Sequence, residues 1–475
     1  MVRVQLFYNS AWERVFFYSD EQENLFDGEQ KWVFREMRPV EQILDWHTVE
    51  LETKRAFLEF VLCNTEKTEW DNPPSSYCRK NYFISIKDAE RESGKEAKKG
   101  LKFCLKDGDL SHIVPRSPIV VVTDLDGTLI GHDDYLKKFN EIWIRQHMFN
   151  GSKLIYSTGR NLKDFLLAAK QFDLLRPDYA ICGVGTEIYE FPNKEMDLDT
   201  FCQKLSTTIG RKVVQEELFS LLRFQDRGEY VEPKEGDKER VAKDVNPSFP
   251  IWCKNRFYAW PVDKWLQMIR KTFKREELKK EVQESLNKIS LEYYINGNNF
   301  HDPFRLSVSI NTEYALKVYE EIQINKKSYR FAISGQGAWK YLDVLPDKGG
   351  KHLSIIFLYE EILEKSIPLE RFLVCGDSGN DAHMFTIESC KNCCVGNAQQ
   401  DLKDFLLGSC RESSDEAESR QVLSSQSELL CRIMSSQNLK PPKKVFISML
   451  PNAGGIIQAL IHNDFITYNI DSPIS

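Results

Sequence analysis

The feature that most constrains this 475-residue chain is the run Ile119-Val120-Val121-Val122-Thr123-Asp124-Leu125-Asp126-Gly127-Thr128. Its β-branched apolar start, without polar alternation, describes a strand buried on both faces, as in a parallel sheet. The strand delivers two carboxylates to its C-terminal end, and Gly127 then lets the chain turn sharply. In open α/β sheets, ligands bind at that edge. Asp124 and Asp126 are two residues apart, so strict strand geometry puts them on one face. Like charges that close repel unless a cation or a shared proton holds them. An Asp-Gly turn alone is ordinary loop chemistry. Three more polar strand ends or loops follow, however: Thr158-Gly159-Arg160 after Leu154-Ile155-Tyr156, Gly349-Gly350-Lys351, and Gly376-Asp377-Ser378-Gly379-Asn380-Asp381.

Taken in order, these four stretches resemble motifs one to four of the haloacid dehalogenase superfamily. The resemblance implies an α/β Rossmann-like core and phosphoryl transfer. That reaction needs an in-line nucleophile, charge neutralisation on the phosphoryl oxygens and a proton for the leaving alkoxide. By the resemblance, Asp124 is the nucleophile and forms an aspartyl-phosphate. Asp126 is the general acid and afterwards the base that activates water. Thr158, Gly159 and Lys351 bind the phosphoryl group; Lys348 is a neighbouring rival that the family's spacing from Asp343-Val344-Leu345-Pro346 sets aside. Mg2+ is held by Asp124, the Asp126 backbone carbonyl and Asp377, a hard cation on oxygen ligands. Asn380 and Asp381 support Lys351 or the metal. A carboxylate at the position of Asp126 is what the superfamily's phosphatases carry and its dehalogenases lack.

Within the superfamily, residues 117 to 465 resemble sucrose-phosphate phosphatases. The similar stretches are Tyr156-Ser157-Thr158-Gly159-Arg160, Pro177-Asp178-Tyr179-Ala180-Ile181 leading to Gly185-Thr186-Glu187-Ile188, Leu342-Asp343-Val344-Leu345-Pro346, and Gly396-Asn397-Ala398-Gln399. Members carry a small α/β cap that reads the sugar, which implies a sugar-phosphate substrate. The chain departs from the pattern at His301-Asp302-Pro303-Phe304-Arg305-Leu306-Ser307, where the family shows Gln followed by Lys-Val-Ser or Lys-Ile-Ser. An Arg for a Lys keeps the charge but changes the donor geometry. His301 and Arg305 are the candidates for sugar contact; a strand Arg on the solvent face is the alternative.

The first 112 residues read as all-β, with alternation in Val2-Arg3-Val4-Gln5-Leu6-Phe7-Tyr8, a strand at Val15-Phe16-Phe17-Tyr18 and an apolar run from Thr53 to Leu62. They are dense in aromatics. A β-sandwich core absorbs many of these, but Trp70-Asp71-Asn72-Pro73-Pro74 lies in a turn and Trp32 in a polar context. The segment resembles starch-binding carbohydrate-binding modules of the family twenty-five and fifty-three type, through Phe7-Tyr8-Asn9, Trp12, Trp32 and Trp70-Asp71-Asn72 leading to Asn81-Tyr82. That implies an aromatic platform of Phe17, Trp32 and Trp70 with Asn81 as polar support, binding starch or a glycogen-like α-glucan; the alternatives are a phosphatase acting on the phosphorylated glucan itself and a non-catalytic glucan-binding scaffold. Flat apolar ring faces suit the C–H faces of a pyranose.

The charged stretch Lys87 to Gly100 reads as a solvated loop, and Ser111 to Pro118 as a linker. From residue 117 strands and helices alternate, with helices expected over 135–148 and 162–172. Residues 200–310 break the rhythm and read as an inserted α+β cap. It holds a helix from Lys204 to about Leu222, another from Trp265 to Glu284, and a hairpin at Asn296-Gly297. The rhythm is expected to resume at Phe331-Ala332-Ile333-Ser334, so that 117–199 and 311–470 form the core. The expected whole is multidomain.

The formal charge of −7 offers no general attraction to nucleic acid, and no run nears the roughly 18 apolar residues of a membrane span. Scattered cysteines read as free thiols of a reducing compartment. With no leader-like start, the expectation is the cytoplasm, or a plastid if a transit peptide precedes residue 1.

Overall fold

The computed structural model describes residues 1–23, 30–40, 46–76, 78–191, 259–289, 293–296, 303–324, 329–335, 337–408 and 424–467. It divides into two units, Met1–Pro118 with Glu141–Ser152, and Ile119–Asn140 with Lys153–Ser475. Among the described residues no helix is long and apolar enough to cross a membrane.

Unit one is built on two sheets. One runs in the order Asp109–Ile113, Leu101–Lys106, Val2–Asn9, Trp46–Thr53, Arg38–Pro39; the other in the order Gln30–Glu36, Phe16–Glu23, Phe57–Cys63, Trp70–Asp71, with Tyr82–Ser85 also on Phe57–Cys63. Alternate residues of both sheets meet in a single core: Val4, Leu6, Leu101 and Phe103 from the first, Phe17, Leu58, Phe60 and Leu62 from the second. The period of two settles Phe17. It is 0% exposed, its ring 5.0 Å from that of Phe60, so it is a core residue and not part of a surface platform. Its neighbour Tyr18 points to the other face.

The stretch read as a solvated loop is instead a helix, Ile86–Ser93, followed by a 3-10 turn, Gly94–Lys99. Ser85 caps it, accepting from the Asp88 N–H, and Ile86, Ala89 and Ser93 form its buried stripe; charges cover the rest. Glu141–Ser152 joins this unit through Phe149, which stacks on Phe7 at 4.1 Å and meets Trp46 edge-on at 4.9 Å.

Unit two contains an eight-stranded sheet in the order Trp260–Pro261, Glu187–Glu190, Tyr179–Cys182, Lys153–Ser157, Val120–Thr123, Phe372–Gly376, Lys391–Cys394, Phe446–Ile447. The six strands from Tyr179–Cys182 onward are parallel, and the first two pair antiparallel. Val120–Thr123 is central and wholly buried. The helices Asp133–Gln146 and Leu162–Gln171 lie where the alternation put them.

A second sheet, antiparallel throughout, has the order Tyr293–Asn296, Leu306–Asn311, Trp339–Pro346, Tyr329–Ser334. This corrects the expectation for Phe331-Ala332-Ile333-Ser334: that run pairs with Trp339–Pro346, not with the parallel strands, so the inserted piece continues past 310 to Pro346. The helix expected from Trp265 to Glu284 is two, Asp263–Thr272 and Arg275–Ile289. The Lys204–Leu222 helix, the turn at Gly297 and His301 lie outside the described residues. Eight described cysteines are free, whereas Cys431 is disulfide-bonded.

Candidate active site

The site forms at the C-terminal ends of Val120–Thr123 and Phe372–Gly376, two adjacent parallel strands. Asp124 follows the first and is locked to the second by its N–H, which donates to Cys375 O at 3.0 Å. Gly127 adopts φ +81°, and a Cβ there would stand 2.5 Å from Asp377 Oδ2. Only glycine permits both the turn and that approach. Two asparagines from far along the chain hold the turn: Asn397 Nδ2 and Asn452 Nδ2 donate to Gly127 O at 2.7 and 2.8 Å.

Lys351 opens the helix Lys351–Phe357 and is completely enclosed. Its Nζ donates to Asp124 Oδ1 at 2.7 Å and Asp381 Oδ1 at 2.6 Å. The other oxygen of Asp381 accepts the N–H groups of Asp377 and Ser378, each at 3.1 Å. Asp381 therefore has both oxygens engaged and acts as a strut for Lys351 and the 377–381 turn. Asp377 Oδ1 accepts from Thr128 Oγ1 at 2.9 Å, while its Oδ2 faces the Gly127 turn. Lys348 is exposed, which leaves Lys351 as the buried cation expected here.

Asp124, Asp377 and Asp381 place ligand oxygens within 4.8 Å of one another. Burial pushes the Asp124 carboxyl well above the usual range, against the pull of Lys351. Asp377 is pushed up to about 7, by burial first and then by Asp381. Burial opposes the charge on Lys351 too, but the two carboxylates outweigh it and hold the ammonium above its ordinary value. Three enclosed carboxylates with one ammonium leave negative charge uncompensated. An all-oxygen donor set with a glycine-sized gap beside Asp377 fits a hard divalent cation such as Mg2+. Asp124 and Asp377 are the carboxylates with an oxygen to offer it, since Asp381 has spent both. The Asp126 side chain turns elsewhere.

Asp126 is half-exposed and gripped by Arg160, whose Nε and Nη2 donate to its two oxygens at 2.7 and 2.6 Å. Arg160 is fixed in turn: its N–H donates to Thr158 Oγ1 at 3.1 Å, and Thr158 N–H donates to Ile181 O at 2.8 Å. The sequence assigns roles to Thr158 and Gly159 of this motif, and the structure adds its arginine. The signal available was only that an Arg ends the motif, and its partner lies 34 residues away.

A cavity of about 550 Å³ opens above these groups, lined by Asp124, Asp126, Asp377 and Asn380 on one side and, on another, by Ser307, Tyr341 and Asp343 of the antiparallel sheet with Arg305 just ahead of its strand Leu306–Asn311. Arg305 Nη1 donates to Gly159 O at 2.7 Å and sits 3.8 Å from Asp343. The expected sugar-contact residue thus lines the cavity and also ties the antiparallel sheet to the 158–160 loop.

On unit one, Trp32 and Trp70 belong to an outer ring cluster together with Tyr18 and Phe34. The Tyr18 ring lies 4.0 Å from Phe34, 4.8 Å from Trp32 and 6.2 Å from Trp70. Trp70 is 42% exposed. Asn81 is engaged with Glu59, donating to Oε2 at 3.2 Å. Tyr18 and Phe34, not Phe17, complete the cluster.

Residues 117–232 and 258–423 match the profile of a family described as sucrose-6F-phosphate phosphohydrolase. A probable sucrose-phosphatase 3a of Arabidopsis thaliana is 24% identical over 299 residues, 62% of this chain and 54% of that protein. A mannosylfructose-phosphate phosphatase of Agrobacterium fabrum is 35% identical over 86 residues, 18% of this chain and 34% of its own length. Among solved structures, the sucrose-phosphatase of Synechocystis sp. PCC6803, in complex with sucrose and phosphate, is similar over 74% of this chain and 100% of its own, with 18% identity and a TM-score of 0.46. The chain spans little more than half the length of the plant relatives it matches.

Proposed function

The chain belongs to the sucrose-6F-phosphate phosphohydrolase family, and from that membership we propose that it hydrolyses a sugar phosphate monoester, with Mg2+, through a phosphoryl group carried on Asp124. The observation that carries the reading is the buried Asp124, bonded to Lys351 and grouped with Asp377, with Asp126 at the mouth of the same cavity.

An oxygen of Asp124 attacks phosphorus as the bond from phosphorus to the sugar oxygen breaks. Asp126 gives that oxygen its proton. Asp126 then takes a proton from water, which attacks the same phosphorus and frees phosphate and the Asp124 carboxylate. Lys351 holds Asp124 aimed and offsets charge at the phosphoryl oxygens, with Gly159 and Asn380 beside them. Held by Asp124 and Asp377, Mg2+ would draw further charge from those oxygens. Arg305 and Asp343 face the sugar side of the cavity.

The ring cluster of Tyr18, Trp32, Phe34 and Trp70 favours a glucan as the second partner. It would hold the protein on an α-glucan surface and raise the local substrate concentration. Phosphate release from sucrose 6-phosphate, trehalose 6-phosphate, hexose monophosphates and phosphorylated starch, with Asp124→Asn alongside, tests the reading. Turnover that needs Mg2+ and vanishes in the variant is expected. Turnover that survives Asp124→Asn, or none on any ester, would sink it.

A further inference from the structure

The antiparallel sheet of unit two has two unlike faces. Leu306, Val308, Ile310, Leu342 and Val344 make the apolar one, against the helices Arg275–Ile289 and Ala315–Ile324. The other parity gives a face of Ser307, Ser309, Asp343, Tyr341, Trp339 and Tyr294. In register, Ser307, Asp343 and Ala332 form one row across the strands, and Tyr294, Ser309, Tyr341 and Ser334 form the next. Directly opposed residues share a face, so the second face starts in the catalytic cavity and runs out of it.

Its composition changes along that path. Ser307 and Asp343 are buried and line the cavity. Tyr341 lines it too, yet is 44% exposed. Beyond it Tyr294 is 54% exposed, with its ring 5.7 Å from that of Trp339. Neither Tyr294 nor Trp339 borders the cavity. Among the described residues, Tyr341 and Tyr294 are exposed and Trp339 is half-buried on the face opposite the packed one. Grouped exposed aromatics are the informative kind of exposed apolar surface.

We infer that Tyr341, Tyr294 and Trp339 form a stacking track for sugar rings beyond the one that carries the phosphate, and that the substrate is a phosphorylated oligosaccharide longer than a disaccharide. The inference rests on the phosphatase reading above. Asp343 to Trp339 spans four residues of extended strand, roughly 13 Å, which is longer than one pyranose ring. The ring nearest phosphorus takes its hydrogen bonds from Asp343, Ser307 and Arg305. Further rings leave the cavity over Tyr341 and lay their C–H faces on Tyr294 and Trp339, needing no further polar partners from the sheet.

The test is kcat/KM on phosphorylated malto-oligosaccharides of one to five rings, for the unaltered chain and for Tyr294→Ala with Trp339→Ala. Neither residue touches the reacting groups. The unaltered chain should gain at least tenfold in kcat/KM between two and four rings. The double variant should lose that gain and keep its activity on glucose 6-phosphate. A kcat/KM that does not depend on length beyond two rings, or a double variant weakened equally on every length, would overturn the track. If no ester, including p-nitrophenyl phosphate, is hydrolysed, the phosphatase reading fails instead. Calorimetric titration of unphosphorylated maltopentaose into Trp70→Ala chains then decides the track alone. Heat that disappears with Tyr294→Ala and Trp339→Ala supports it, and heat that persists, or is absent throughout, refutes it.

Discussion

Replacing Lys351 by methionine removes the ammonium bonded to both Asp124 and Asp381, at 2.7 and 2.6 Å, with all three side chains enclosed. Methionine keeps most of the volume, so packing changes little. The loss is electrostatic: breaking a buried pair by deleting one partner costs about 3–5 kcal/mol, because the remaining charges stay buried without compensation. The variant can escape part of this by protonating Asp124, whose carboxyl burial already raises. A carboxyl raised in the folded state binds protons that the unfolded chain releases, so its protonation adds stability as pH falls. The deficit should therefore be largest near pH 8 and shrink toward pH 6. Added Mg2+ should return some of it, since a ligand that binds only the folded state stabilises it in proportion to RT ln(1 + [L]/Kd). Urea unfolding of the unit that carries the site, with EDTA or Mg2+ at pH 6, 7 and 8, measures all three effects. A deficit below about 1 kcal/mol at pH 8 in EDTA, against the 3–5 kcal/mol of a broken buried pair, would refute this account of Lys351.

Three further outcomes are expected. With Asp377 pushed up to about 7, a cation must displace a proton below that pH, so calorimetry should show Mg2+ affinity falling by up to about tenfold per pH unit from 7 to 6 and little change from 8 to 9; constant affinity would contradict the assignment. Phe17→Ala should destabilise unit one by about 3–5 kcal/mol, whereas Trp70→Ala should leave its melting near that of the unaltered chain and abolish retention on amylose; the reverse pattern would contradict the two placements. Arg160→Lys keeps the charge but not the two-toothed grip on Asp126. It should lower kcat about tenfold or more through a misaimed acid, and an unchanged kcat at saturating substrate would show that the grip is idle.

How much of this could be read from the sequence depends on whether the signal was local. The central strand and the four polar turns could be read because each turn follows its own apolar run. Lys351 could be told from Lys348 only through the family's spacing. Phe17 could not be placed, because Phe16, Phe17 and Tyr18 are all aromatic and either parity looks apolar. The sheet that takes residues 331–334 is not legible locally, because an apolar strand reads alike in a parallel and an antiparallel sheet, and only its partner at 339–346 decides. The helix Ile86–Ser93 had a readable sign, Ser85 three residues before Asp88 and an Ile86-Ala89-Ser93 stripe, outweighed by the charges around it. Arg160 on Asp126, and Asn397 and Asn452 on Gly127, join residues 34, 270 and 325 apart. No periodicity reports such pairs. The joining of Glu141–Ser152 to unit one is of the same kind.

The central claim is that Asp124 carries the phosphoryl group. Rapid acid quench of the Mg2+-loaded protein during turnover of a 32P-labelled sugar phosphate, followed by peptide mapping, tests it most directly. The account predicts transient label on the peptide containing Asp124, stoichiometric with enzyme at saturation and absent from Asp124→Asn. Phosphate release with no label on that peptide at any time, or label on another residue, would contradict it.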